Sequence, residues 1–204
     1  MSQSHFWNDR YREEVYVYGT VPNAFLAESI QYVPQHGRVL CLGDGEGRNG
    51  VYLAKHGLNV TSVDLSAEGK RKAEKLAQYE NVGLNYIVGD LEFYDIGQGV
   101  WDGIVSIFCH LPSALRKKVH AACVQGLKAG GVFLLESYAP EQLRFNTGGP
   151  KDVDMLLDIS TAKSELLGLD FIVCRAKERV VIEGEFHSGQ AAVTQIVATK
   201  TAQL

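Results

Sequence analysis

Arg38-Val39-Leu40-Cys41-Leu42-Gly43-Asp44-Gly45-Glu46-Gly47-Arg48-Asn49 is a short apolar run that breaks into three alternating glycines. It passes directly into Asn49-Gly50-Val51-Tyr52-Leu53-Ala54-Lys55-His56, whose apolar residues recur at helical spacing. Strand, glycine turn, helix is a recipe for holding a nucleotide-like ligand. Glycine lets the backbone turn sharply and approach the ligand, and the start of the helix presents unpaired N–H groups.

Working outward, the same alternation repeats. Asn59 to Val63 is a β-rich run ending in Asp64-Leu65-Ser66, and Ser66 can cap a helix from Ala67 to about Tyr79, with its charges opposite Ala73, Leu76 and Ala77. Leu84 to Val88 predicts a third strand ending at Gly89-Asp90-Leu91, and Trp101 to Phe108 a fourth, followed by Cys109-His110. Pro112 suits the first turn of a helix to about Leu127, and Gly130-Gly131 opens a fifth strand, Val132 to Glu136. A helix is expected from about Val153 to Leu167, then two long alternating runs, Asp170 to Gly184 and Gly189 to Ala198, joined by a hairpin turn at 185–189. The reading is α/β: a Rossmann-like, doubly wound, seven-stranded and mostly parallel sheet with a C-terminal antiparallel hairpin and helices on both faces. Such sheets bind ligands beyond the carboxyl ends of their strands, which puts Gly43 to Gly47, Asp64, Asp90 and Phe108 to His110 on one rim.

At the N-terminus, His5 to Arg12 suits a short amphipathic helix and Asn23 an N-cap for a helix through about Val33. Trp7, Tyr16 and Tyr18 suit either packing or a cleft lid. The 204 residues fit one domain, 1–204, with 1–36 as a helical lid segment and 138–152 as a substrate-side loop on the same rim. A hydrophobic fraction of 46% and a charged fraction of 22% are those of an ordinary globular protein, and the net charge of −4 gives no general attraction to nucleic acid or anionic membrane. Cys41, Cys109, Cys123 and Cys174 lack zinc spacing or a disulfide framework, the histidines lack ligand spacing, and no run reaches membrane-spanning length. With no visible signal peptide, the chain reads as cytoplasmic. Oligomeric state is not legible.

A phosphate-cradling loop needs GxxxxGK[ST], which is absent. A dinucleotide dehydrogenase wants GxGxxG; here the glycines run GxGxG, although Asp64 supplies the expected ribose acid, and little chain is left for a substrate domain. The third reading covers nearly the whole chain. Val39 to Asn49 resembles the first motif of class I S-adenosylmethionine-dependent methyltransferases, Gly89-Asp90-Leu91 their segment beside the adenine, and Ala129-Gly130-Gly131 the turn before their fifth strand. Phe6-Trp7-Asn8-Asp9-Arg10-Tyr11, Tyr18-Gly19 and Gly45-Glu46-Gly47-Arg48-Asn49 narrow the resemblance to the tellurite-resistance and thiopurine methyltransferase-like branch.

That resemblance implies S-adenosyl-L-methionine as cofactor, held by Gly43, Asp44, Gly45, Glu46, Gly47, Asn49, Asp64, Leu65, Asp90, Leu91, Ile107 and Phe108, with no metal. It departs from the family at one point: the usual strand acid is replaced by Cys41, and an acid, Asp44, stands in the loop where the family carries Cys. Asp44 is therefore expected to meet the cofactor's amino group, a solvated turn residue being the alternative. Methyl transfer from a sulfonium chiefly needs positioning and exclusion of water. His110 is the one residue placed to act as a base, against a structural hydrogen-bonded role. Trp7, Tyr16, Tyr18, Arg144 and Asn146 are expected to wall a pocket for a small-molecule acceptor, a thiol or chalcogen compound in keeping with the resemblance. A non-catalytic cofactor-binding module and an NAD-binding oxidoreductase are the competing functions.

Overall fold

Alternate residues of strand β1 (Arg38–Leu42) enter opposite halves of the core. Val39 and Cys41 join Phe25, Leu26 and Leu53 on one side, while Leu40 and Leu42 join Val119, Cys123 and Ala162 on the other. A strand buried on both faces reads as an unbroken apolar run, which is how β1 is written. The computed structural model describes residues 2–145, 147–184 and 187–201.

Around β1 the chain forms α1 (Gln3–Tyr11), α2 (Ala24–Ser29), α3 (Arg48–Lys55), β2 (Asn59–Asp64), α4 (Ala67–Tyr79), β3 (Asn85–Val88) and β4 (Trp101–Ile107). It continues through α5 (Ser113–Gly126), β5 (Leu127–Tyr138), α6 (Ile159–Glu165), β6 (Asp170–Ile182) and β7 (Ser188–Thr199). The seven strands lie in the order β3-β2-β1-β4-β5-β7-β6. The pairs from β3 to β5 are parallel, and β7 runs antiparallel to both β5 and β6. This is the expected doubly wound sheet with its terminal hairpin. Helices α2 and α3 cover one face and α5 and α6 the other, while α4 packs on α3 through Val51, Leu76 and Ala77.

The caps explain where helices start. Ser2, Asn23 and Ser66 accept from the backbone N–H of His5, Leu26 and Gly69. Two sequence readings need correction. The helix from Asn23 stops at Ser29 and tightens into a 3₁₀ turn over Ile30–Tyr32. The expected helix 153–167 is a 3₁₀ turn (Val153–Met155), an extended link and then α6. Asp158 caps α6 by accepting from Thr161 N, and Leu157 N donates to the Tyr138 carbonyl, so Leu156 and Leu157 are buried in extended form. The 138–152 loop also contains a 3₁₀ turn, Pro140–Arg144.

Gly47 stands before α3 with φ +84°, and a Cβ there would overlap the Ala73 side chain of α4. Gly47→Ala is expected to cost about 2 kcal/mol or more, from left-handed strain plus overpacking, measured by urea unfolding.

Candidate active site

The glycine loop is tied down from below. Gly43 N donates to Val63 O at 2.8 Å, Gly45 N to Asp64 Oδ2 at 3.0 Å, and Tyr86 Oη to Gly45 O at 2.5 Å. Gly43 and Gly45 both have positive φ, +59° and +55°. A Cβ on Gly43 would lie 2.8 Å from Cys109 Sγ, and one on Gly45 2.7 Å from Tyr11 Oη. The loop thus lies close under Cys109 after β4 and under Tyr11 of α1. Helix α1 is pinned over this rim by Ser4 Oγ on the Leu65 carbonyl and by Asn8 Oδ1, which accepts from Ser66 Oγ and Glu68 N.

Asp64, half-buried at the end of β2, accepts from Gly45 N and Ser66 N, and desolvation holds its carboxyl up at about 6. Asp90 caps the next turn by accepting from Glu92 N. Phe108, just after β4, is in a left-handed conformation, φ +50°, with its N–H on the Glu136 carbonyl at 2.8 Å. A non-glycine residue held there costs about 1–3 kcal/mol, a kind of strain that clusters at functional sites.

Other residues read as cofactor contacts turn their side chains inward. Asp44 is buried: Oδ2 accepts from Ser62 Oγ at 2.6 Å and Oδ1 from Gly50 N at 3.2 Å. It is neither a solvated turn residue nor aimed over the rim, and desolvation lifts its carboxyl to about 7. Glu46 pairs with Lys72 Nζ at 2.5 Å, both side chains being 1% exposed, and accepts from Val17 N and Tyr18 N at 3.1 Å. Lys72 also donates to the carbonyls of Glu13 and Val15. Asn49 Oδ1 accepts from Asn23 N, while Leu91 and Ile107 are core residues and Leu65 meets Ser4 by its carbonyl. What these positions offer a ligand at the rim is backbone.

The acceptor-side readings divide. Tyr18 is drawn to the rim, 4.6 Å from His187 between ring centroids, and Trp7 stacks on Tyr11 at 5.6 Å. Tyr16 is not brought there: it packs on the Leu76 cluster with its hydroxyl on the Lys72 carbonyl. Arg144 is also removed, since it pairs with Glu178 on the exposed side of β6. Asn146 lies outside the described residues. His110 is at the rim, stacked on Tyr138 at 5.4 Å, with neither ring nitrogen hydrogen-bonded among the described residues; the Met155 backbone lies beside it without closing a bond of normal geometry. Desolvation lowers its imidazole to about 4.

Sequence reading missed Tyr138 and His187, which complete this aromatic group, and a buried charge network beneath it. Arg48 holds Glu183 at 2.5 Å, Arg179 holds both Glu136 and Glu183, and Asn23 Nδ2 donates to both carboxylates. The one legible signal was Glu136, a carboxylate inside an apolar strand.

Residues 39–131, somewhat under half the chain, match the family model described as Methyltransferase domain. A stretch of 67 residues is 33% identical to the 23S rRNA (uracil(747)-C(5))-methyltransferase of Pyrococcus abyssi, spanning 33% of this chain and only 16% of that protein. The whole fold is similar to the protein of a structure on conversion of a disulfide bond into a thioacetal group during echinomycin biosynthesis (TM-score 0.76, 17% identity, 98% of this chain and 92% of that one). It is also similar to TehB from Haemophilus influenzae (TM-score 0.72, 17% identity, 97% and 67%). Further solved structures sharing the fold are described as S-adenosylmethionine-dependent methyltransferases. The chain has the class I S-adenosylmethionine-dependent methyltransferase fold. No helix among the described residues is long and apolar enough to cross a membrane.

Two predictions follow from the buried ionisable groups. Lys72→Met strands the Glu46 carboxylate and is expected to cost about 3–5 kcal/mol in urea unfolding, part of which the added Glu46→Gln restores. Asp44 keeps its proton to about pH 7 when folded but loses it near pH 4 when unfolded. Between those values the folded state binds the extra proton, so stability falls with rising pH by up to about 1.4 kcal/mol per unit. Asp44→Asn should make the wild-type decline shallower between pH 4 and pH 6, where Asp64 still contributes, and remove it between pH 6 and pH 7, followed by thermal or urea unfolding across that range.

Proposed function

We propose that the chain is an S-adenosylmethionine-dependent methyltransferase acting on a small-molecule acceptor, with the cofactor along the rim from Gly43 to Asp90. The observation that carries this reading is the glycine cradle beneath α1, where the backbone at Gly43 and Gly45 leaves no room for a Cβ and Asp64 stands beside it. The residues fit the group. Asp64 has lone pairs left to accept from ribose hydroxyls, Asp90 is placed on the adenine side, and the turn from Gly43 to Gly47 offers close backbone contact. Asp44 acts on the cofactor through the loop it holds, by anchoring Gly50 and Ser62.

When bound, the cofactor supplies an activated methyl group on a sulfonium. The chain's own work is positional. Tyr11 and Trp7 of α1 cover the rim and exclude water, while Phe108 fixes the floor between the cofactor side and His110. His110, neutral at physiological pH, is placed to take a proton from an acceptor that carries one. The sequence resemblance to the tellurite-resistance branch and the likeness to the protein of the echinomycin thioacetal structure favour a thiol or chalcogen compound, and the net charge of −4 weighs against a nucleic-acid substrate.

Titration calorimetry with S-adenosylhomocysteine tests the cofactor reading. The wild type is expected to bind it and Asp64→Asn to bind at least about tenfold more weakly, equivalent to about 1.4 kcal/mol. Absence of binding by the wild type, or an unchanged affinity in the variant, would overturn the assignment of this rim.

A further inference from the structure

Beside Phe108, three polar side chains meet that the cofactor loop does not use. His187 lies 4.7 Å from the Phe108 ring and 5.5 Å from Tyr138, while His110 stacks on Tyr138 at 5.4 Å. Four of their polar atoms are buried without a hydrogen-bond partner among the described residues: both ring nitrogens of His110, Nδ1 of His187 and the Tyr138 hydroxyl. Tyr138 is 0% and His187 8% exposed. Buried polar groups are nearly always bonded, so several orphans converging beside a strained residue at a ligand-binding rim call for a ligand.

We propose that His110, Tyr138 and His187 are the recognition groups of the acceptor site, and that this site takes a neutral, aromatic-sized molecule carrying a hydroxyl or thiol proton, not an oxyanion. This rests on the methyltransferase reading above. The walls are rings: Phe108, Tyr18 and Tyr138. The polar groups are uncharged, each neutral imidazole presenting one N–H and one lone pair and Tyr138 an O–H. Desolvation, helped by the neighbouring His110 and Arg48, holds His187 at about 3, and desolvation, helped by Arg116, holds His110 at about 4. Of the charged groups near the two histidines, Arg48 is paired with Glu183 and Arg116 with Glu165, while Arg10 donates to the Tyr18 hydroxyl at 3.4 Å. A desolvated oxyanion would need a counter-charge that these groups do not offer.

The proton balance fits a protic acceptor. As its oxygen or sulfur bonds to the methyl carbon, the methyl–sulfur bond breaks with the electron pair left on sulfur, and the acceptor's proton passes to an imidazole and on to water. Positive charge leaves the sulfonium as it arrives on the imidazole, so the net charge of the site is conserved. The turn at 147–150 lies on the Tyr138 ring, where a Cβ on Gly149 would come within 2.6 Å of Cδ2.

The test is NMR on protein with ¹³Cε1-labelled histidine, saturated with S-adenosylhomocysteine, with His110→Asn and His187→Asn assigning the two resonances. Phenol or benzyl mercaptan, both neutral at pH 7, at millimolar concentration is expected to shift both, and Tyr138→Phe to weaken that binding about tenfold; the tighter probe names the acceptor atom as oxygen or sulfur. Tellurite is expected to shift neither. Shifts with tellurite but not with the protic probes, or with none of the three, would overturn the inference while leaving the cofactor reading intact. Failure to bind S-adenosylhomocysteine at all would overturn the methyltransferase reading itself.

Discussion

The carboxylate of Glu46 sits almost wholly out of water, and its partners organise the front of the molecule. It is neutralised by Lys72 from α4 and takes the backbone N–H groups of Val17 and Tyr18, while Lys72 takes the carbonyls of Glu13 and Val15. A buried charge is tolerable only when paired and hydrogen-bonded on its remaining valences. Here those valences are satisfied largely by the chain that precedes the sheet, so the lead-in segment closes over the glycine loop as part of solvating one ion pair.

A second buried network does the same from the other edge. Two arginines, Arg48 and Arg179, balance Glu136 and Glu183, and Asn23 and Gln195 fill the remaining positions on the carboxylates. Its members come from α3, from β5, from the start of α2 and from the hairpin of β6 and β7. The hairpin end that carries His187 is thereby referenced to the helix that follows the glycine loop. The glycine-loop end of the rim and the His187 end are set relative to one another by charge pairing, with Phe108 strained between them.

The polar chemistry of the rim is uneven along its length. Around Gly45 and Asp64 it offers backbone groups and carboxylates, suited to hydroxyls and a positively charged ligand. Around Tyr138 it offers uncharged ring nitrogens and a phenol among aromatic faces. Burial produces this second character, since desolvation penalises the charged form of histidine and leaves imidazoles that exchange hydrogen bonds and protons without carrying a standing charge.

Local signals determined the order of strands and helices, the glycine turn, the caps at Asn23 and Ser66 and the terminal hairpin, because period, turn residues and capping side chains act over a few residues. They also put Asp64, Asp90 and His110 on one rim, since a strand-end position follows from topology. They did not determine where side chains within that rim point. Asp44 and Glu46 read as loop acids facing a ligand, and Lys72 as one charge on a solvated helix face; the tertiary structure turns all three inward. Nor could they bring His187 and Tyr138 beside His110, or send Arg144 to Glu178, because those meetings join segments tens of residues apart. Burial and charge pairing are properties of the assembled surface, and no short stretch of the chain carries them.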